Sequence, residues 1–135
     1  MIPAVKIGSY ERALKLFREN VTVKQFGRGC FIRQKAEQAD IDLAVAGLVE
    51  AQRALQNGEY DLVILDEANI ALHFKLFDAG RLLEAISSRS KGCEVVVTGR
   101  NAPPEVIAAA DLVTEMKEVK HYYAAGVGAR EGIES

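Results

Sequence analysis

A chain of 135 residues, 49% of them hydrophobic and 27% charged, has the size and balance of one folded domain with its own core, which excludes a disordered or low-complexity polypeptide. Its net charge of −2 carries no electrostatic footprint for nucleic acid or an anionic membrane, so neither is expected as a partner. No apolar run approaches the roughly 20 residues of a membrane span, and the amino terminus lacks a signal-peptide profile. Cys30 and Cys93 are far apart and match no metal-ligand spacing, which points to a reducing, cytoplasmic setting.

Residues 1–9, with Pro3 and Gly8, read as an irregular entry. Residues 10–20 place Ala13, Leu14, Leu16 and Phe17 among charged neighbours at the period of a short amphipathic helix, whose apolar side needs something to pack on. Residues 21–26 alternate with a period of two and are β-branched, which predicts a strand toward a sheet edge, closed by Gly27-Arg28-Gly29. Those glycines do not make a phosphate loop, because no Gly-Lys-Ser/Thr tripeptide occurs in the chain. A structural or ligand-covering turn is the better reading. Cys30-Phe31-Ile32 then offers either buried packing or a wall for a flat apolar ligand. From about residue 36 to 56, Ile41, Ala44, Leu48, Ala51 and Leu55 recur at helical spacing, which predicts a long crossover helix ended by Asn57-Gly58.

Tyr60-Asp61-Leu62-Val63-Ile64-Leu65-Asp66-Glu67 is the stretch on which the chain is organised. Four consecutive aliphatics predict a strand buried on both faces that delivers Asp66 and Glu67 to its carboxyl end, where parallel α/β sheets hold ligands. In nucleotide-binding proteins such a strand is a Walker B element, its carboxylates suited to Mg²⁺ because a hard cation takes oxygen ligands. The competing explanation is a strand followed by acidic residues that open a helix. His73 lies alone between apolar residues and is expected to pack rather than to bind metal. A helix is expected from Asp78 through Ile86, then a second buried strand over residues 92–98 with Cys93 as a small buried hydrophobe. It ends in Thr98-Gly99-Arg100-Asn101, on the same edge as Asp66 and Glu67 if the strands are parallel. Pro103-Pro104-Glu105 opens a further helix, and residues 111–116 are a last strand candidate before a glycine-spaced tail. Alternating strands and helices predict a single three-layer α/β domain with a parallel sheet.

Val63-Ile64-Leu65-Asp66-Glu67-Ala68-Asn69, Val97-Thr98-Gly99-Arg100-Asn101-Ala102-Pro103-Pro104-Glu105, Ala110-Asp111-Leu112-Val113-Thr114-Glu115-Met116, Lys120-His121 and Gly132-Ile133-Glu134 occur in this order and spacing. Together they resemble the P-loop type of ATP:corrinoid adenosyltransferase. The resemblance implies a RecA-like P-loop NTPase sheet, and transfer of the 5′-deoxyadenosyl group of ATP to the Co(I) of a corrinoid with triphosphate leaving, in cobalamin synthesis or salvage. It also implies that Glu67 holds Mg²⁺ on the phosphates with Asp66 in support, and that Arg100 contacts phosphate through its fork of donors. Thr98 and Asn101 are secondary candidates at the nucleotide site, and Phe31 is the candidate corrinoid wall.

Two departures from the family pattern bear on these expectations. Family members begin with a strand and a Gly-Lys-Gly-Lys-Thr kind of loop, and this sequence starts after both, so ATP affinity and turnover of the chain alone are both expected to fall far below those of a complete member. The loop that carries phenylalanine and tryptophan in the bacterial pattern reads Gly29-Cys30-Phe31-Ile32 here, without tryptophan. A sheet short of a core strand is expected to cover its apolar faces as a homodimer or larger assembly. One alternative is one half of a two-part enzyme whose partner chain brings the phosphate loop. Another is a non-catalytic descendant that binds nucleotide or corrinoid, and a third is a Walker-B-bearing ATPase of another family, which leaves the residue 98–105 run unexplained.

Overall fold

The aliphatic run Leu62–Leu65 and the valine run that follows Glu94 pair as a parallel sheet: β1 (Leu62–Leu65) and β2 (Glu94–Val97), in the register Leu62↔Glu94 through Leu65↔Val97. The computed structural model describes residues 15–17, 19–28, 36–128 and 130. The ladder extends past both ends of the pair, Glu94 N–H donating to Asp61 O at 2.9 Å and Thr98 N–H to Leu65 O at 3.1 Å. A parallel pair needs a crossover, and here it consists of α2 (Ala68–His73) and α3 (Ala79–Ser87), which follows α1 (Gln38–Gln56) and precedes α4 (Pro104–Ala109).

Each helix starts where its sequence supplies a reason. Asp78 caps α3 by accepting from Arg81 N–H at 2.8 Å, and Pro104 occupies the first turn of α4, where its missing donor costs nothing. The long helix α1 ends at Asn57, followed by Gly58 at φ +72°, the left-handed conformation that glycine adopts without strain. Its apolar stripe supplies Leu48, Ala51 and Leu55 to the core, where they join Leu65 of β1, Leu82 and Ala85 of α3 and Val106 of α4. Leu55 and Leu82 are fully enclosed, each contributing about 1.5–3 kcal/mol of burial free energy. Cys93 is buried at the start of β2, as the sequence predicts.

The amino end of α1 is held by a charged clamp. Arg28 Nε and Nη2 donate to the two oxygens of Asp40 at 2.8 Å each, and Nη1 donates to Glu37 at 2.7 Å. Asp40 Oδ2 also accepts from Glu37 N–H at 3.0 Å, so this buried carboxylate is satisfied on both oxygens. The Arg28 fork, with the Glu37 N–H, holds the Asp40 carboxyl below the usual carboxylate range. Lys24 adds a 2.8 Å bridge to Glu50 further along α1. The glycine-flanked turn therefore acts as a structural clasp through its arginine.

Several expectations differ from what the described residues show. Among these residues the sheet is covered on one side only. Val63, Val95 and Val97 pack on the core, whereas Leu62, Ile64 and Val96 on the opposite side are 49%, 48% and 42% exposed. Burial on both faces, and with it a third layer, is absent among the described residues because the buried helical faces of the core all meet the same side of the sheet. Residues 21–26 form no strand beyond an isolated bridge at Gln25, and Lys24 ties this stretch to α1 through its ion pair with Glu50. Residues 111–116 form no strand with any described residue, and Leu112 and Met116 are largely exposed; a segment becomes a strand only beside a hydrogen-bonding neighbour. Of the helix expected over residues 10–20, the described part is a 3₁₀ turn, Lys15–Phe17, and Leu16 and Phe17 are exposed. His73 is exposed as well, its ring edge-on to Phe74 at 5.4 Å, and makes no core contact of the kind expected. Among the described residues no helix is long and apolar enough to cross a membrane.

Two measurements check this arrangement. In denaturant melts Leu65→Ala should cost about 2–5 kcal/mol, whereas Val96→Thr on the open side should cost less than about 1 kcal/mol. Asp40→Asn should lower the Tm by several degrees at pH 7. Because the native Asp40 carboxyl is depressed, its contribution is complete above the unfolded-state pKa of about 3.9 and is lost as pH falls through the native value. The difference in Tm between parent and variant should therefore close as the solution is acidified.

Candidate functional site

Where β1 and β2 end, their exits are bound to each other by polar groups. Thr98 is the centre of this arrangement: its hydroxyl donates to Asp66 Oδ1 at 2.6 Å and accepts from Glu67 N–H at 2.9 Å, while its carbonyl accepts from Asn69 N–H at 3.1 Å. One residue of β2's exit thus touches three of the four residues that leave β1. Gly99 follows at φ +119°, and a Cβ there would lie 3.1 Å from Asn69 Cβ and 3.2 Å from Glu67 Cα. Only glycine fits this approach, on conformational and steric grounds alike.

The same contacts divide the acidic pair. Asp66 has one oxygen engaged by Thr98, which fixes its carboxylate against the sheet edge. Glu67 is the residue before α2 and takes a left-handed backbone, φ 57° and ψ 19°, while its carbonyl accepts from Ile70 and Ala71 N–H. Such a conformation costs a non-glycine residue on the order of 1 kcal/mol and collects at functional positions. The Glu67 carboxylate has no hydrogen-bond or ion-pair partner among the described residues. Arg100 is exposed and likewise has none. Asn101, next in the chain, is a second left-handed residue at φ 61°.

Asn69 is the functional candidate that sequence reasoning passed over. It is only 5% exposed, its Nδ2 donates to Gly99 O at 3.3 Å, and its Oδ1 is buried without a partner among the described residues. An orphaned buried acceptor costs about 1–3 kcal/mol that an apolar residue would avoid. The available signal was an amide three residues after Asp66, in a stretch where the surrounding positions are apolar.

Asp66, Glu67, Thr98 and the Arg100-Asn101 turn therefore share the carboxyl edge of the two parallel strands, as the sequence expected. Phe31 lies outside the described residues. Beside this edge a cleft of about 550 Å³ opens between the end of α2, with Leu72, His73 and Lys75, and the start of α4, with Pro103 and Glu105; Asn101 borders it. That volume is in the range of small-molecule sites. Among the described residues no group of three or more His, Cys, Asp or Glu side chains is placed to hold a metal ion by itself.

Carboxylates, a hydroxyl and a guanidinium gathered at the carboxyl edge of parallel strands make this a parallel α/β unit, a class in which that edge is the usual place of ligand sites. The particular family follows from comparison: the chain belongs to the ATP:corrinoid adenosyltransferase family BtuR/CobO/CobP, whose model matches residues 5–135. It is 40% identical over 124 residues to the corrinoid adenosyltransferase of Pseudomonas aeruginosa, covering 92% of this chain and 61% of the relative. A corrinoid adenosyltransferase of Sinorhizobium sp is 30% identical over 132 residues, 97% of this chain and 62% of that protein. The corrinoid adenosyltransferase CobA of Salmonella typhimurium is 30% identical over 97 residues, 72% of this chain and 50% of the relative. The chain spans about three-fifths of the length of the first two.

The central position of Thr98 gives a direct check. Thr98→Val removes one donor and one acceptor at once and should cost about 1–3 kcal/mol in denaturant melts, because Glu67 N–H and Asp66 are left unpaired. Thr98→Ser keeps the hydroxyl and should recover most of that loss.

Proposed function

We propose that this chain forms the acidic-strand half of a corrinoid adenosyltransferase site with the P-loop NTPase type of sheet. The proposed reaction is transfer of the 5′-deoxyadenosyl group of ATP to a reduced corrinoid. The observation that carries this reading is the joined rim: Asp66 and Glu67 at the end of β1 are tied through Thr98 to the turn that presents Arg100 and Asn101. Family membership supplies the substrate class, since the family is described as ATP:corrinoid adenosyltransferases.

In this reaction the electron pair of Co(I) forms the bond to C5′ of ATP. The C5′–O bond breaks, and its pair leaves with triphosphate. The corrinoid supplies the nucleophile, so the protein has no proton to move at the reacting carbon, and its work is positioning and charge compensation. Glu67, whose carboxylate has no partner among the described residues, is the residue suited to Mg²⁺, while Asp66 supports the strand end through its bond to Thr98. One or two carboxylates fit Mg²⁺, which keeps several waters and is otherwise held by substrate phosphates. Bound there, the ion supplies neutralisation of phosphate charge. Arg100 adds a fork of donors to the leaving triphosphate, and Asn101 carries the site toward the cleft between α2 and α4.

Calorimetry with ATP, with and without Mg²⁺, and separately with a corrinoid tests the proposal. The parent chain should bind Mg-ATP weakly, as expected without the phosphate loop, Glu67→Gln should weaken the Mg²⁺ dependence, and Arg100→Ala should lower affinity about tenfold, the loss of one charge-assisted contact. Binding of neither ligand by the parent overturns the reading. An unchanged Mg²⁺ dependence in Glu67→Gln removes that residue from its role.

A further inference from the structure

Arg100 reaches its position on very little visible support. Among the described residues the sole hydrogen bond to the backbone of residues 99–102 is the one that Asn69 Nδ2 donates to Gly99 O at 3.3 Å. The turn is held in an uncommon conformation all the same, with φ of +119° at Gly99 and +61° at Asn101. Asn69 grips two consecutive carbonyls of this exit, Thr98 O through its backbone N–H and Gly99 O through its side chain, and its Cβ closes off the space beside Gly99. The orientation of the carboxamide follows from chemistry: reversing it would set Oδ1 against Gly99 O, acceptor to acceptor. The correct orientation leaves Oδ1 buried and unpartnered, a cost the site accepts in order to keep the Nδ2 donor where it is.

We infer that Asn69 is a positioning residue that sets the direction in which Arg100 leaves the sheet edge relative to Glu67. Its consequence for binding rests on the proposed function, whereas its effect on the turn does not. It acts through Gly99 and touches no substrate. A carboxylate in its place has nearly the same shape but repels Gly99 O, so Asn69→Asp should free the turn while leaving β1 and β2 intact. Asn69→Ala should do the same by deletion.

Two measurements on the full chain decide the matter. In ¹⁵N relaxation, the order parameters of Arg100 and Asn101 should fall below about 0.6 in Asn69→Asp and Asn69→Ala, while β1 and β2 stay near about 0.85. In calorimetry, Asn69→Asp should weaken Mg-ATP binding about fivefold in the parent background and have no further effect in an Arg100→Ala background, the non-additivity expected of a residue that acts through another. An equal loss in both backgrounds would show a merely structural role and overturn the inference, as would unchanged order parameters in both variants. Failure of both variants to fold would overturn it too, by making Asn69 a determinant of the fold. If the parent binds neither Mg-ATP nor a corrinoid, the proposed function falls; without Mg-ATP binding the relaxation data alone decide the inference.

Discussion

One hydroxyl group joins the exits of the two strands around which this molecule is built. The Thr98 side chain donates to Asp66 and accepts from the Glu67 backbone, so its single oxygen satisfies groups on the neighbouring strand that would otherwise face solvent separately. The parallel register of β1 and β2 places Leu65 opposite Val97, and this brings the next residue on each strand to the same height at the carboxyl edge. From there the geometry is forced outward: Glu67 turns left-handed, Gly99 presses on Glu67 and Asn69, and Arg100 and Asn101 leave as an exposed turn.

A second clasp works on quite different terms. Arg28 donates two hydrogen bonds to Asp40 across the start of α1, and the carboxylate is buried while the guanidinium keeps partial contact with water. That asymmetry suits arginine, which is weakly hydrated for a cation and matches a carboxylate with two parallel donors. The result ties the chain before α1 to the helix that covers the sheet, using charge where no ladder forms. A glycine-flanked arginine near the start of a nucleotide-binding type of sequence invites a phosphate role, yet here its donors are spent on Glu37 and Asp40.

The exposed side of the sheet bears on how this chain relates to its family. Leu62, Ile64 and Val96 stand half open to solvent opposite a well-packed core, while the chain spans about three-fifths of the length of its relatives from Pseudomonas aeruginosa and Sinorhizobium sp. The shared part contains the acidic strand end and the arginine turn, bonded to one another through Thr98 and Asn69. Among the described residues the Glu67 carboxylate and the Arg100 guanidinium have no partner.

Much of this was legible in the residues. The aliphatic runs, the helical stripe of Leu48, Ala51 and Leu55, the Asp78 cap and the prolines before α4 are local signals, set by periodicity and backbone preference, and the run from Asp66 to Asn69 with Thr98 to Asn101 marked the family. The reading failed wherever the outcome turned on what lies alongside. Residues 21–26 have strand-like alternation and 111–116 are a strand candidate, but a strand needs a neighbour along its length, and among the described residues the first makes an isolated bridge at Gln25 and the second no strand pairing. The sequence by itself determined which elements form the core and which side chains reach the strand ends, because those follow from spacing along the chain. Only the tertiary structure decided that one side of the sheet stays open, that Thr98 holds Asp66 while the Glu67 carboxylate has no partner among the described residues, and that Asn69 is buried beneath the arginine turn. Those facts depend on distances between residues some thirty positions apart, which no local pattern encodes.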